Sequence, residues 1–345
     1  MQIIASNAMK INFTFFIVRL FLDINTPIAL QTYNNCTKKR IFADNIFPEM
    51  KSKGFLPHIT ALIAMIIWGG SYVWSTQVFQ FLKPGTTILL RLILSSAILF
   101  LAMVLLKKTK KIDRGDIKLF FLAAFFEPFL YFIGESYGLL RVSPTICSAI
   151  VATIPLFAPI AAFFMLKERI SAMNIVGLIV SFFGVLLMLF NKNLELNASV
   201  SGLLFIFMAV VVAVFYSVAL KKLADKYNAL TVVGTVNSIG ILYFIPFVLL
   251  LERDSLGNLL PVSNYIVPLL LLAVLASSLS YVLYTYSVSQ LGVARSNVYT
   301  NTIPIFTACF SYFLIHEEIT LFKMIGIAVV IIGLVLSQVK VKGEK

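Results

Sequence analysis

Thr153-Ile154-Pro155-Leu156-Phe157 returns later in the chain as Thr302-Ile303-Pro304-Ile305-Phe306. The same offset of 149 residues relates Tyr137 to Tyr286, Glu168 to Glu317, Gly177 to Gly326 and Gly184 to Gly333. Most other positions in this window exchange one apolar residue for another. A repeat of this length in an apolar chain is the pattern of a membrane protein made of two related halves with a site between them.

The composition agrees. The 345 residues are 60% hydrophobic and 12% charged, with a mean hydropathy of +0.96. Soluble domains carry about 25% charged residues, so a water-soluble class is excluded. The net charge of +13 would suit a nucleic-acid partner. Such binding needs basic residues clustered on one polar face, and here they lie in short stretches between apolar runs. No nucleic-acid partner is expected. Cys36, Cys147 and Cys309 have neither metal nor disulfide spacing. The last two fall in apolar segments and read as small packing residues. His58 and His316 fall at segment ends. No metal and no cofactor is expected.

Ten apolar segments follow Pro57, near 57–80, 84–106, 116–139, 143–166, 171–190, 201–220, 229–251, 264–289, 294–315 and 320–339. Each is long enough to cross the roughly 30 Å hydrocarbon core as a helix. Continuous apolar runs, rather than alternating ones, exclude a β-barrel. The expected fold is an all-α membrane protein, with ten transmembrane helices in two inverted five-helix repeats. The first repeat is 57–190, the linker 191–200, the second repeat 201–339, and 340–345 a basic cytoplasmic tail. Residues 1–49 are different. Their apolar run from Ile11 to Ile24 is short and broken by Arg19, whereas Met50-Lys51-Ser52-Lys53-Gly54 directly precedes the first helix. We read Met50 as the initiator and 1–49 as sequence upstream of the true start, the alternative being a disordered tail.

Basic residues fix the orientation. They gather after helix 2 (Lys107, Lys108, Lys110, Lys111, Arg114, Lys118), after helix 4 (Lys167, Arg169), after helix 6 (Lys221, Lys222, Lys226) and at the C-terminus. The intervening loops hold about one each. By the positive-inside rule the rich side, with both termini, is cytoplasmic. The expected location is the bacterial inner membrane. A repeat unit of five helices crosses an odd number of times, so its second copy runs in the opposite sense.

Helix 3 carries Glu127-Pro128 and Glu135 within an apolar run. A charge at the bilayer centre costs about 2.5–3.5 kcal/mol, so both carboxylates must face a cavity, a partner or a proton. Glu127, Tyr131 and Glu135 are spaced i, i+4, i+8, which places them on one helical face. They read as a proton-coupling or substrate-amine site, the competing reading being structural pairing. Pro128 removes a backbone donor beside Glu127. Arg91 in helix 2 is a counter-charge for Glu127 or Glu135, a contact for an anionic substrate group, or a snorkelling side chain. Trp68, Ser71 and Tyr72 of helix 1, Tyr216 of helix 6, Tyr281 and Tyr284 of helix 8, and Asn297 and Asn301 of helix 9 complete a candidate polar cavity with aromatic walls. Each of these serves equally well as glue between helices. The repeated Pro155 and Pro304 suggest a shared hinge. Glu168 and Glu317, with Ser171 and Thr320 as helix caps, read as structural. The paired glycines at 177, 184, 326 and 333 read as a close-packing stripe.

In combination these marks resemble the EamA-type family of the drug/metabolite transporter superfamily. The matching residues are Trp68-Gly69-Gly70-Ser71-Tyr72, Arg91 after the Pro84 start, the Ile-Pro of helices 4 and 9, each followed by a turn Glu, and the glycine pairs. The resemblance covers about 57–339. It implies ten helices, two repeats, and movement of small metabolites, a range from amino acids and nucleotide precursors to sugars and drugs. The expected function is therefore a secondary transporter, an exporter of amino acids or related solutes, working by alternating access between the repeats. Protons are the candidate coupling ion, and the chain acts as a monomer or homodimer. A membrane-embedded enzyme or a channel is the alternative. Neither a Walker loop nor a His-Glu-x-x-His motif is present, and an enzyme is not expected.

Overall fold

The computed structural model describes residues 55–108, 110–157, 172–189, 198–259 and 261–337. Expectations for the first 49 residues, Met50, Cys36, Glu168, Ser171, most of the linker and the basic tail fall outside these. Among the described residues the ten longer helical segments are, in chain order, α1 (Leu56–Val78), α2 (Pro84–Leu105), α3 (Arg114–Leu139), α4 (Pro144–Phe157), α5 (Ala172–Leu189), α6 (Val200–Lys226), α7 (Ala229–Leu251), α8 (Ile266–Leu291), α9 (Arg295–Ile315) and α10 (Leu321–Ser337). Seven are long and apolar enough to cross a membrane, and α4, α5 and α10 are shorter apolar helices over the described residues.

Local chemistry sets the starts. Pro84 and Pro144 open α2 and α4, where a missing N–H costs nothing and the fixed φ suits a helix. The Asn228 side chain accepts from the Thr231 N–H at 2.9 Å to cap α7, and Thr320 accepts from the Lys323 N–H at 3.3 Å to cap α10. One boundary differs from expectation. Helix α6 continues to Lys226, so Lys221 and Lys222 lie on helix rather than in a loop. A Lys221–Asp225 pair at i, i+4 supports the extra turns.

The outer surface is apolar, as lipid contact requires. Leu250, Phe313 and Leu105 are among its most exposed side chains. Cys309 is exposed on this surface too, whereas Cys147 is buried. The small-packing-residue reading holds for Cys147 and fails for Cys309, because α9 turns that face outward.

The packing repeats under an exchange of the two halves. α2 packs on α7, α4 on α9 and α5 on α10. α3 packs on α6 as α1 packs on α8, and α1 on α9 as α6 on α4. Glycines permit the closest approaches. A Cβ on Gly184 would lie 2.7 Å from Val330 N and 2.8 Å from Gly326 O, so α5 and α10 meet backbone to backbone along the predicted stripe. A Cβ on Gly134 of α3 would lie 2.6 Å from Phe205 O of α6.

Four helices are interrupted, in two matching pairs. α3 widens into a π-helical turn over Phe125–Leu130, with Glu127 extended at φ −143° and ψ 120°. α8 does the same over Leu271–Leu279. The helical run of α4 stops at Val151 and resumes at Ile154, just before Pro155. α9 tightens to a 3₁₀ turn over Val298–Thr302, just before Pro304.

Candidate functional site

The break in α3 faces the middle of the molecule. There, a cavity of about 70 Å³ is lined by Trp68, Ser71 and Tyr72 of α1, Arg91 of α2, Glu127, Tyr131, Phe132 and Glu135 of α3, Tyr216 and Ser217 of α6, Tyr281 and Tyr284 of α8, and Asn297 and Thr300 of α9. Eleven of the twelve residues expected to form the site meet here. Asn301 does not. It is buried, and its side-chain amide has no hydrogen-bond partner. The 3₁₀ turn changes the angular step along α9, so a spacing of four no longer keeps Asn297 and Asn301 on one face.

The expected single helical face of Glu127, Tyr131 and Glu135 needs the same correction. The extended backbone at Glu127 interrupts the helical period. All three nevertheless reach the cavity, because the break turns Glu127 inward. Glu127 is buried and accepts a hydrogen bond from the Tyr281 hydroxyl of the other repeat. Glu135 is half-buried and accepts from Tyr131 OH at 3.0 Å.

Arg91 does not snorkel, being 4% exposed. Nor, among the described residues, does it form an ion pair with either carboxylate. Its Nε–H donates to Ser277 Oγ at 2.7 Å, and its guanidinium lies 4.4 Å from the centre of the Phe132 ring. Nothing in the sequence points to this arrangement, since Ser277 and Phe132 look like ordinary helix residues. Ser277 matters because it lies in the π-helical turn of α8. The Trp68 indole N–H donates to Ala276 O at 3.2 Å, and Ser95 and Asn237 donate to Ser277 O at 3.1 and 3.0 Å. These bonds occupy carbonyls that the π-helical turn leaves short of partners. On the matching side, a Cβ on Gly240 of α7 would lie 2.5 Å from Pro128 Cγ. Each break is thus braced by the α2 or α7 helix of the opposite repeat.

Two further acids lie outside the cavity lining. Glu252, just past α7, is 1% exposed. It accepts from Gly85 N at 3.0 Å, Thr86 N at 2.7 Å, Thr86 Oγ1 at 3.0 Å and Tyr137 OH at 2.5 Å. A charged residue after an apolar run reads as a loop residue, so the sequence did not mark it. Glu317, as expected, is structural: it pairs with Lys323 at 2.8 Å and accepts from Thr145 Oγ1 at 2.9 Å.

Comparison with known proteins places this geometry. The model of the EamA-like transporter family matches residues 56–190 and again 200–338. An uncharacterized transporter of Archaeoglobus fulgidus is 24% identical over 276 residues, covering 80% of this chain and 96% of that protein. The uncharacterized transporter YetK of Bacillus subtilis is 25% identical over 321 residues, covering 88% and 96%. A crystal structure described only as that of a protein shares the fold, with a TM-score of 0.62 and 15% identity over 81% of this chain and 97% of that one. Two matches to one family, one per five-helix repeat, with the cavity enclosed between them, make this chain a member of the EamA-like transporter family and a multi-pass membrane protein.

Proposed function

We propose that this chain is a secondary transporter that exports small organic solutes, amino acids or related compounds among them, by alternating access at the central cavity, with protons as the coupling ion. The observation that carries the reading is the placement of Glu127 and Glu135 in a cavity shared by both repeats, each bound to a tyrosine and neither paired with Arg91. Carboxylates inside a membrane protein, facing a cavity, mark substrate or proton routes. The breaks before Pro155 and Pro304 suit hinges, at which each repeat bends as one rocks against the other. In the sequence the basic residues gather after α2 and α6, segments that fall on one side in the order of helices, which supports a cytoplasmic assignment for that side.

Comparative profiling of cells and medium, with wild type or Glu135→Gln expressed, tests this. Wild type is expected to shift a small set of solutes outward, and Glu135→Gln to lose most of that shift. Equal movement by the variant would remove Glu135 from the mechanism. No movement by wild type would remove the transport reading.

A further inference from the structure

We propose that α9 holds a file of bound water that leaves the cavity wall at Asn297, runs along the helix towards Glu317, and delivers protons to the central carboxylates. The proposal rests on the reading of those carboxylates as proton-coupling groups, and adds the route by which the protons reach them.

Unpaired polar atoms concentrate on this helix. Among the described residues, eight buried side-chain nitrogen and oxygen atoms have no hydrogen-bond partner, and five of them belong to α9: Asn297 Nδ2, both amide atoms of Asn301, Thr307 Oγ1 and Ser311 Oγ. Asn297 and Asn301 are 3% and 4% exposed, and Thr307 and Ser311 are fully buried. A buried polar atom left unpaired is costly, so each of these calls for a partner. No described protein group supplies one. Water does so where a buried site is polar and offers it two or more hydrogen bonds. The repeat supplies an internal control. Its offset of 149 carries Asn297, Asn301, Thr307 and Ser311 onto Ser148, Ala152, Ala158 and Ala162. The first repeat is content with alanine at three of the four positions. The polar run therefore belongs to the second repeat alone, as the two carboxylates belong to the first.

The spacing suits water. At the rise of a helix, successive members of the run lie about 6–9 Å apart along α9, a gap that one or two waters span at about 2.8 Å per hydrogen bond. Both ends of the run meet acids. Asn297 lines the cavity together with Glu127 and Glu135. At the far end Ser311 O accepts from the Glu317 N–H at 3.1 Å, which sets Ser311 beside the Glu317–Lys323 pair. The hydroxyls of Thr307 and Ser311 both donate and accept. Each takes a proton from one water and gives its own to the next, so every oxygen in the file ends with the protons it began with. One proton enters at the Glu317 end and one leaves onto a carboxylate oxygen in the cavity. The asparagine amides relay nothing. Their C=O and NH₂ groups hold the waters in place.

The test uses the full chain in nanodiscs, switched from H₂O to D₂O in acidic buffer. The infrared band of the protonated carboxyls, assigned with Glu127→Gln and Glu135→Gln, reports how fast O–H becomes O–D. Thr307→Val combined with Ser311→Ala is expected to slow this exchange about tenfold, the effect on a rate of removing roughly one hydrogen bond from its barrier. Thr307→Ser, which keeps the hydroxyl, should exchange like wild type. Each substitution is also measured singly, so that a double variant that fails to fold leaves the test standing. Unchanged exchange in the apolar variants would overturn the proposal. So would a rise in their melting temperature, because deleting dry unpaired hydroxyls stabilises a fold whereas deleting hydrated ones does not. An experimental structure that shows ordered water elsewhere in the protein, but none bonded to Asn301, Thr307 and Ser311, would overturn it as well. Should exchange be unaltered while profiling shows solutes exported, the route falls and the transport reading stands. Should exchange slow while wild type exports nothing, the route stands and the transport reading falls.

Discussion

Glu252 and Asp254 are two acids of one short loop, and their surroundings give them opposite weight. Glu252 is buried, with two backbone N–H groups and two hydroxyls converging on it. Asp254 is 69% exposed and pairs with a half-exposed Lys83 at 2.6 Å. Hydrogen bonding to Lys83 holds the Asp254 carboxyl below the usual aspartate range. A lowered carboxylate adds its stability above the ordinary aspartate range and loses it as pH falls through its own depressed value. An exposed pair of this kind adds little at any pH. Lys83→Met is therefore expected to leave the melting temperature in detergent unchanged near neutral pH. Glu252→Gln should lower stability by about 1–3 kcal/mol, because buried donors lose their acceptor. A scanning melt of both variants checks the pair, and equal effects would contradict it. The same contrast explains what sequence reading reaches. Glu127 and Glu135 stand out because a charge inside an apolar run demands a reason. Glu252 stands at the end of one, where charge is ordinary, and its burial comes from α2 and α3, distant in sequence.

At the scale of elements, glycine and proline carry most of what was legible. The glycine stripe of α5 and α10 is read directly from the repeat, and the contact of Gly184 with Val330 N and Gly326 O bears it out. Those neighbours are backbone and cannot turn aside. Gly184→Val should destabilise by about 1–3 kcal/mol through overpacking, and Gly184→Ala by less. Melting of both in the same detergent decides it, and a neutral Gly184→Val would mean that α5 and α10 separate easily. Pro128 announces the interruption of α3. The matching interruption of α8 has no such herald, for Ala276-Ser277-Ser278 contains no proline. It is stabilised from outside by Trp68, Ser95 and Asn237, and such tertiary support leaves no periodic signal in α8 itself.

On the scale of the whole molecule, α2 and α7 form a frame fastened at both ends. At one end the loop after α7 holds the start of α2 through Glu252 and Ser255. At the other, Lys226 pairs with Asp113 at 2.8 Å and with Asp116 at 2.5 Å, while Asn228 donates to Lys108 O at 3.1 Å. The frame should move as one body in the proposed cycle. In a chain freed of its own cysteines, a bifunctional thiol cross-link between Lys83→Cys and Asp254→Cys is expected to leave flux near wild type. The same reagent between His58→Cys and Tyr299→Cys, whose native side chains meet across α1 and α9, is expected to abolish it. Loss of flux in both would show that the frame itself must flex.

The breaks in α3 and α8 share a backbone position but not a composition: Glu127-Pro128 stands in one repeat and Ala276-Ser277 in the other. Two identical inverted halves would give end states related by a two-fold axis in the membrane plane and equal in free energy, and an empty carrier would rest on either side of the membrane equally often. Placing both carboxylates in one half removes that degeneracy. A gap of a few kcal/mol leaves the minor state at about 0.1–10%. In the proposed alternating-access cycle, the asymmetry between two otherwise matching interruptions would give the unloaded protein a resting side, and with it a preferred direction in which to wait for cargo.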